Sequence, residues 1–280
     1  TNTNTAEITL DLNGYTISTN KPITNKGKLN LINTSENIAE IKTSTSMTLL
    51  TNTNILKTNN VKLKNVSSSY YVVSNQSQLE MENTTIESIY GISNASVAMI
   101  KNCQFSSSST AINNSNTLTI EGGTYSGSYS VYTNSANNVN VTNATLNGTY
   151  YNASNSTIET SNINGSVQNN SRTLNINNSI VNGGIGGSIS NTATMNVTNS
   201  EVKVTSPNNH YNSNYYTGIS NSGTLTFDKT KVWIDNEQSY RYYITGIYNS
   251  GTLNVNNESS VEVGIPTKAN GTYRGIETGG

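Results

Sequence analysis

A short motif recurs along the whole chain and constrains its fold more than any other feature of the sequence. It is clearest at residues 246–257 (GIYNSGTLNVNN) and returns at residues 218–227 and 22–31. Each copy reads apolar, any residue, Asn, three turn residues, and then alternating apolar and polar residues that lead to a second Asn. Such a repeat predicts stacked supersecondary units, because no single copy can bury its apolar residues alone.

We call the first Asn of each copy its anchor. The step between anchors ranges from 17 residues, between Asn152 and Asn169, to 32 residues, between Asn25 and Lys57. Thr278 takes the same place in a last, truncated copy. The predicted anchors are Asn25, Lys57, Asn75, Asn94, Asn114, Asn134, Asn152, Asn169, Asn191, Asn221 and Asn249.

The alternation within each copy has a period of two residues, which is typical of a strand with one buried and one solvated face. Each copy holds three short runs of this kind, so one copy is one rung of a coil. The sequence therefore predicts an all-β, single-stranded right-handed parallel β-helix (a β-solenoid) of about 12 rungs, with three short strands per rung. The side chains expected to be buried include those of Leu118, Ile120, Met195, Val197, Leu225, Phe227, Leu253 and Val255.

The second Asn of each copy predicts a ladder of stacked carboxamides, because buried amides need partners and identical Asn side chains one rung apart can supply them. A simpler interpretation is that Asn is frequent here because turns tolerate it. The residues at this second position are Asn33, Asn65, Asn83, Asn102, Asn199 and Asn257, with Asn143 and Asn178 after a one-residue shift.

Composition limits the classes of function. The formal net charge is -1, and only 11% of residues are charged, which argues against the basic surface that nucleic acid requires. A single cysteine, Cys103, excludes an internal disulfide and is expected to be a small turn or core residue. No apolar run approaches the length of a membrane span. We expect no nucleic-acid partner, no direct membrane insertion and no cofactor.

The chain is expected to form one continuous solenoid over residues 1–280, cut from a longer protein whose export signal and covalent or domain anchor lie outside it. Residues 1–54 form the opening rungs, residues 55–200 compact rungs, and residues 201–280 longer rungs. The longer rungs carry inserts at residues 206–216, 235–243 and 266–273. These inserts recur at one phase of the coil, and inserts of that kind often form the binding side of a repeat protein.

Two stretches carry a resemblance to a known family. The opening ITLDLNGYTI at residues 8–17, and the Gly-Ile-x-Asn-Ser-Gly-Thr-Leu copies that start at Gly218 and Gly246, resemble pectate-lyase-like right-handed parallel β-helix repeat proteins of the bacterial surface or adhesin type. The resemblance implies an extracellular location, either secreted or at the cell surface. Some members of that superfamily cleave polysaccharides and many only bind. The catalytic members imply clustered acids, or a carboxylate-bound calcium beside a basic residue, and no such motif stands in this chain.

The acidic residues are few. Asp11, Asp228 and Asp235 are the three aspartates, and only Asp228 and Asp235 can lie near Glu201 and Glu237. Glycoside hydrolysis needs two carboxylates close together, so we interpret these as solvated surface acids. The single histidine, His210, has no nucleophile or acid beside it in the sequence. We expect no enzyme activity, no catalytic residue and no metal site.

Tyrosine is the informative residue, with 17 Tyr against 2 Phe and 1 Trp. Rings with a polar tip make good contact surfaces, and the inserts concentrate them. The compact rungs are expected to offer no comparable feature. The predicted ligand-binding residues are Tyr211, Tyr215, Tyr216, Trp233, Tyr240, Arg241, Tyr242, Tyr243 and Tyr273, with Arg274 nearby.

The sequence thus favours a non-enzymatic, adhesin-like β-helix that binds a glycan or a host-surface protein through this tyrosine-rich side. An alternative interpretation of the tyrosines is that they only cover the edge of the coil. Two alternative functions also stay open, a polysaccharide lyase or hydrolase of the same fold and a purely structural stalk.

Overall fold

The chain forms a parallel β-helix, as the sequence predicts. The described residues hold 32 strands in two parallel sheets and no helix. They divide into two compact units, residues 1–148 and 149–280. The computed structural model describes residues 7–66, 69–135, 137–185, 187–205, 215–235, 243–264 and 272–279, without the side chains of Ile185, Tyr215 and Tyr243.

The strands are short because a turn of Asn, Ser, Thr or Gly interrupts each alternating run. In the first unit they are β1 (Glu7–Asp11), β2 (Thr16–Ser18), β3 (Ile23–Asn25), β4 (Lys28–Ile32), β5 (Glu40–Thr43), β6 (Leu50–Asn52), β7 (Ile55–Asn59), β8 (Lys62–Asn65), β9 (Tyr71–Asn75), β10 (Gln78–Glu82), β11 (Thr85–Asn94), β12 (Val97–Lys101), β13 (Gln104–Asn114), β14 (Thr117–Glu121), β15 (Thr124–Thr133) and β16 (Asn138–Thr142), and β17 (Thr145–Asn152) runs into the second.

The second unit continues with strands of the same kind. They are β18 (Asn155–Glu159), β19 (Asn162–Asn164), β20 (Val167–Asn169), β21 (Thr173–Asn177), β22 (Ile180–Ile185), β23 (Ile189–Asn191), β24 (Thr194–Thr198), β25 (Glu201–Thr205), β26 (Tyr215–Asn221), β27 (Thr224–Asp228), β28 (Lys231–Asp235), β29 (Tyr243–Asn249), β30 (Thr252–Asn256), β31 (Ser260–Val263) and β32 (Thr272–Thr278).

In the first unit, each strand pairs in parallel with the strand one rung later. One sheet runs in the order β1-β4-β7-β10-β12-β14-β16. The other combines β2-β5-β8-β11 with β3-β6-β9-β11-β13-β15. β11 and β13 each combine the second and the third strand of a rung into one longer strand. The register shifts where the two parts meet, which in β11 is between Ser88 and Tyr90. The predicted three strands per rung therefore merge into two at these rungs.

The second unit repeats the arrangement with three columns of strands. They run β18-β21-β24-β27-β30, β19-β22-β25-β28-β31 and β20-β23-β26-β29-β32. The register holds across the sequence repeats, with Leu225 opposite Leu253 and Ile219 opposite Ile247. Because register is preserved, every rung presents the same positions to the interior.

Most of the predicted core is confirmed, and its last rung differs. Leu118, Ile120, Met195, Val197, Leu225 and Phe227 are buried. Leu253 is only half-buried, and Val255 is 46% exposed. Both lie on β30, which pairs only with β27 among the described strands. Their side chains are covered from one side because the described chain stacks no further strand on them.

The carboxamide ladder exists, but the prediction of its place was wrong: it is built from the anchors. Asn75 donates its Nδ2 to Oδ1 of Asn94 at 2.7 Å, and Asn94 donates in the same way to Asn114 at 2.6 Å. The ladder residues are Asn25, Asn52, Asn75, Asn94 and Asn114 in the first unit, and Asn152, Asn169, Asn191, Asn221 and Asn249 in the second.

Each ladder amide also holds its turn in place. The Nδ2 of Asn94 donates to the carbonyls of Ser96, at 2.9 Å, and Thr117, at 3.0 Å, and its Oδ1 accepts from the Ser96 backbone N–H. One side chain therefore connects two rungs and the turn between them. This leaves the buried carboxamide fully satisfied, as a low-dielectric interior requires.

Two of the predicted anchors also shift. Asn52 replaces Lys57, because it pairs in register with both Asn25 and Asn75. Thr133 replaces Asn134, because it is the register partner of Asn114. Lys57 instead faces outward on β7 and pairs with Glu80 at 2.8 Å.

The second Asn position is a left-handed turn on the surface. Asn83, Asn102 and Asn199 are exposed, with φ of 46°, 48° and 48°. Asn tolerates positive φ better than most residues, which explains its recurrence there. Asn33 and Asn65 are buried exceptions, whose amides donate to the loop carbonyls of Asn37 and Met47.

A second ladder, of hydroxyls, follows that turn, and it was not predicted from the sequence. Ser179 donates its hydroxyl to the Asn177 carbonyl at 2.6 Å and accepts from the Ser161 backbone N–H at 3.1 Å. Ser200 and Thr230 repeat these contacts one and two rungs later. In the first unit, Cys103 takes the same place, which confirms that it is a buried core residue.

Candidate functional site

The three inserts leave the coil at the same place in successive rungs. Each lies between a strand of the β25-β28-β31 column and a strand of the β26-β29-β32 column, and both columns keep their register. The ends of the inserts therefore stack, as the sequence predicts for one coil phase. Tyr211, Tyr240, Arg241 and Tyr242 lie within the inserts, outside the residues that the structure describes.

Tyr215 and Tyr243 stand at the strand positions that follow two of the inserts. Their Cα atoms are register partners, and Thr272 takes the same place one rung later. Neighbouring strands lie about 4.8 Å apart, so the two tyrosines are adjacent along the axis of the unit. The structure describes their backbone only.

Tyr216 and Tyr273 lie on the opposite side of their strands from that position. Tyr216 is 7% exposed, and its hydroxyl donates to the Gly187 carbonyl at 3.0 Å. Tyr273 is half-buried, and its hydroxyl donates to the Gly264 carbonyl at 3.1 Å. Since a strand alternates its faces, residues at neighbouring positions point to opposite sides. The structure therefore places Tyr216 in the core rather than on the predicted outer face.

Trp233 lies on the outer face of β28, as predicted. Its side chain is 47% exposed, and Nζ of Lys203 sits 5.0 Å from the centroid of its ring. Lys203, Trp233 and Glu262 are register partners on three successive strands. The ring is thus held by a cation–π contact and keeps accessible surface beside the inserts.

The charged residues of these rungs are dispersed. Arg274 is exposed and pairs with Glu277. Asp228 ends β27 and accepts a hydrogen bond from Nδ2 of Asn257 at 2.6 Å, whereas Asp235 ends β28 in the other sheet. In the part of the chain that the structure describes, no group of three His, Cys, Asp or Glu side chains could hold a metal ion.

The compact rungs also carry a cluster of aromatic residues, although no feature comparable to the inserts was expected there from the sequence. Four of them share one outer face of the first unit, where Tyr71 and Tyr90 have ring centroids 5.3 Å apart. The signal was present in the sequence, because Tyr71 and Tyr90 stand at the same distance before their anchors. That cluster is a second candidate for binding.

Comparison with known proteins adds no relative. No protein-family model matches the chain, and searches of curated proteins and of solved structures find no match. Within the described ranges, no helix is long and apolar enough to cross a membrane.

Proposed function

We propose that this chain is a non-enzymatic, extracellular, adhesin-like β-helix that binds a glycan through the outer side of its C-terminal rungs. The observation that carries the proposal is the exposed ring of Trp233 on β28, the strand that one of the inserts follows in the sequence. A large aromatic face left in water is a favourable place for a sugar ring to stack, since apolar exposure of this kind marks interaction sites.

The chemistry of the surroundings supports binding rather than cleavage. Lys203 lies against the ring, and Glu262 is in register with it one strand further on. These groups can orient a polar ligand. Cleavage by a glycosidase requires a pair of closely spaced carboxylates, and the three aspartates of the sequence offer no motif for such a pair.

The test uses the intact chain and its own fluorescence. Trp233 is the single tryptophan, so its emission reports on this face alone. Glycans that bind on an array are titrated against the protein. We expect a saturable change in emission, and a loss of at least tenfold in affinity in Trp233→Ala. Tyr15→Ala is the matched control, because Tyr15 is 73% exposed in the first unit and its loss leaves the C-terminal rungs intact.

Three outcomes would contradict the proposal, and each favours another function. Release of new reducing ends from a polysaccharide would make the chain an enzyme. Binding of a deglycosylated host protein that depends on Trp233 would replace the glycan by a protein partner. Absence of any binding would favour the alternative that the chain is a purely structural stalk.

A further inference from the structure

A compact cluster of aromatic rings covers one outer face of the first unit. We call it the tyrosine surface and define it by Tyr71, Tyr90, Tyr129 and Tyr132 with Asn113. Tyr71 and Tyr90 have ring centroids 5.3 Å apart at 59°, and Tyr129 and Tyr132 have centroids 5.3 Å apart at 84°. All four rings are half-buried. Tilted and edge-to-face pairs of this kind hold each other's orientation.

Asn113 fixes Tyr71 across two rungs. Its Nδ2 donates to the Tyr71 hydroxyl at 3.0 Å, although Tyr71 lies on β9 and Asn113 on β13, with β11 between them. Because the phenolic oxygen accepts this bond, its own hydrogen remains to be donated. Among the described residues, that hydrogen has no acceptor. Tyr71 therefore holds its hydroxyl oxygen in a fixed place and keeps a donor that no described residue uses.

Asn113 also has a buried polar atom that its hydrogen bond to Tyr71 leaves unpaired. Its Oδ1 is buried and has no hydrogen-bond partner in the described part of the chain. A buried polar atom left unpaired destabilises a protein, so such atoms are uncommon and need an explanation. The hydrogen bond that holds the Tyr71 hydroxyl in place is the reason we infer for an Asn at this position.

The backbone under the rings is shaped for this arrangement. β11 and β13 have irregular register between Ser88 and Tyr90 and between Ser106 and Thr110. A Cβ on Gly91 would lie 2.2 Å from the Ala111 carbonyl oxygen, so only glycine allows the two strands to approach there. Irregularities of this kind re-aim the side chains next to them, and Tyr90 follows one directly.

The surface is uncharged. The strand segments that carry it read YVVSN, YGISN, TAINN and YSVYT, without Asp, Glu, Lys or Arg. Their aliphatic side chains Val73, Ile92 and Val131 are buried, so rings, hydroxyls and amides face outward. The adjoining part of the sheet is charged, because Lys62 on β8 and Glu87 in the first half of β11 form an ion pair at 2.7 Å.

These features fit one class of ligand. A neutral sugar offers C–H faces that stack on aromatic rings and hydroxyls that pair with phenol, serine and amide groups. Protein interfaces also use tyrosine, but their energetic centres add Trp or Arg and are poor in serine and threonine, whereas these segments combine tyrosine with Ser, Thr and Asn and carry no Trp or Arg. We propose that the tyrosine surface is a second, separate binding site for a neutral oligosaccharide, with Tyr71 and Tyr90 as its stacking residues.

The test separates this surface from the C-terminal rungs. Trp233→Ala serves as the starting protein, so that any binding that remains occurs at a site other than the ring of Trp233. Maltohexaose, cellohexaose, mannohexaose and xylohexaose are titrated by calorimetry, with trigalacturonate as the charged comparison. At least one neutral hexaose should bind saturably, and trigalacturonate should not. Adding Tyr71→Ala and Tyr90→Ala should weaken that binding at least tenfold, while adding Tyr15→Ala should leave it unchanged.

A second variant keeps the test valid if the double change unfolds the unit. Tyr71→Phe retains the ring and its packing but removes the hydroxyl, which is both the donor offered to a ligand and the acceptor of the Asn113 Nδ2, so it should weaken binding several-fold while the unit stays folded. The proposal is wrong if no neutral hexaose binds, if trigalacturonate binds equally well, or if neither tyrosine variant alters the affinity. If Trp233→Ala alone abolishes binding of the hexaose, the proposal is also wrong, because the hexaose site then lies on the C-terminal rungs.

Discussion

Asn94 donates a hydrogen bond from its Nδ2 to Oδ1 of Asn114, one rung further along, at a distance of 2.6 Å. The same carboxamide accepts at its Oδ1 from Asn75, so it is bonded on both sides within a column that water does not reach. The anchors thus act as connectors between rungs.

Asn94→Ala is expected to be strongly destabilising. It removes one acceptor of the Asn75 Nδ2 and one donor of the Asn114 Oδ1 within the buried column, and the loss of buried hydrogen bonds of this kind costs about 1–3 kcal/mol. Chemical denaturation measures the loss. Asn83→Gly is the control: this position is exposed with φ of 46°, which glycine adopts freely, so we expect a change within about 0.5 kcal/mol. Equal effects of the two changes would argue against the ladder.

Leu225→Ala should cost about 2–5 kcal/mol, because Leu225 is fully buried and its truncation opens a cavity. Val255→Ala, on the adjacent strand, should change the stability by about 0.5 kcal/mol or less, since Val255 is 46% exposed. Both are measured by denaturant titration of the intact chain. A large loss for Val255→Ala would show that its side chain is covered in solution.

Cys103→Ser should fold with nearly unchanged stability at neutral pH. The thiol accepts from the Thr84 backbone N–H at 3.4 Å and donates to the Lys101 carbonyl at 3.2 Å, and a serine makes these contacts in other rungs. Cys103→Ala leaves the Thr84 N–H without its acceptor and should cost about 1–3 kcal/mol. Thermal melts of the two variants distinguish them, and a Ser variant as unstable as the Ala variant would refute the hydroxyl ladder.

Removing one buried hydroxyl should stabilise the protein and removing another should not. The Tyr150 hydroxyl is buried beside Ser156 without a well-formed hydrogen bond, so Tyr150→Phe should gain about 1 kcal/mol. The Tyr125 hydroxyl donates to the Gly122 carbonyl at 3.1 Å, so Tyr125→Phe should lose about that amount. Opposite signs in paired denaturation curves are the expected result.

Alkaline pH should destabilise the first unit through Cys103. Burial raises the pKa of this thiol from 9.0 to about 12. Above pH 9 the unfolded chain therefore loses a proton that the folded chain keeps, and stability falls by about 1.4 kcal/mol per pH unit until the folded pKa is reached. Burial also raises the pKa of Tyr125 and of Tyr150, which steepens the fall above pH 10. Melting temperatures measured from pH 7 to 11 should decline less in Cys103→Ser.

The sequence predicted the parallel β-helix correctly because period two and a regular repeat are properties of the strand and of the stack themselves. It misplaced the ladder because Asn suits two different environments, a buried amide column and a left-handed turn. The residues that replace Asn at each of the two repeat positions could have distinguished the buried column from the exposed turn. The second position admits Gly122 and Lys229, which an exposed turn tolerates, whereas the anchor position departs from Asn only to Thr, at Thr133 and Thr278.

The candidate sites were less predictable. Composition drew attention to the tyrosines, and strand alternation placed Trp233 correctly on an outer face. The same alternation, applied to Tyr216, would have placed it inside. The tyrosine surface depends on Asn113 contacting Tyr71 two strands away, and such a contact follows from register and local irregularity rather than from spacing.

The ladder has a consequence for how such a chain can change its length. Because neighbouring Asn anchors make equivalent contacts with the rungs on either side, the segment from one Asn anchor to the next is a repeating module. Recombination that joins one anchor codon to another would duplicate or delete a whole module and still restore an Asn-to-Asn bond at the junction. Breakpoints at other positions would disrupt the two-residue alternation of apolar and polar residues in the strands. Length in this lineage is therefore expected to vary in steps of one module.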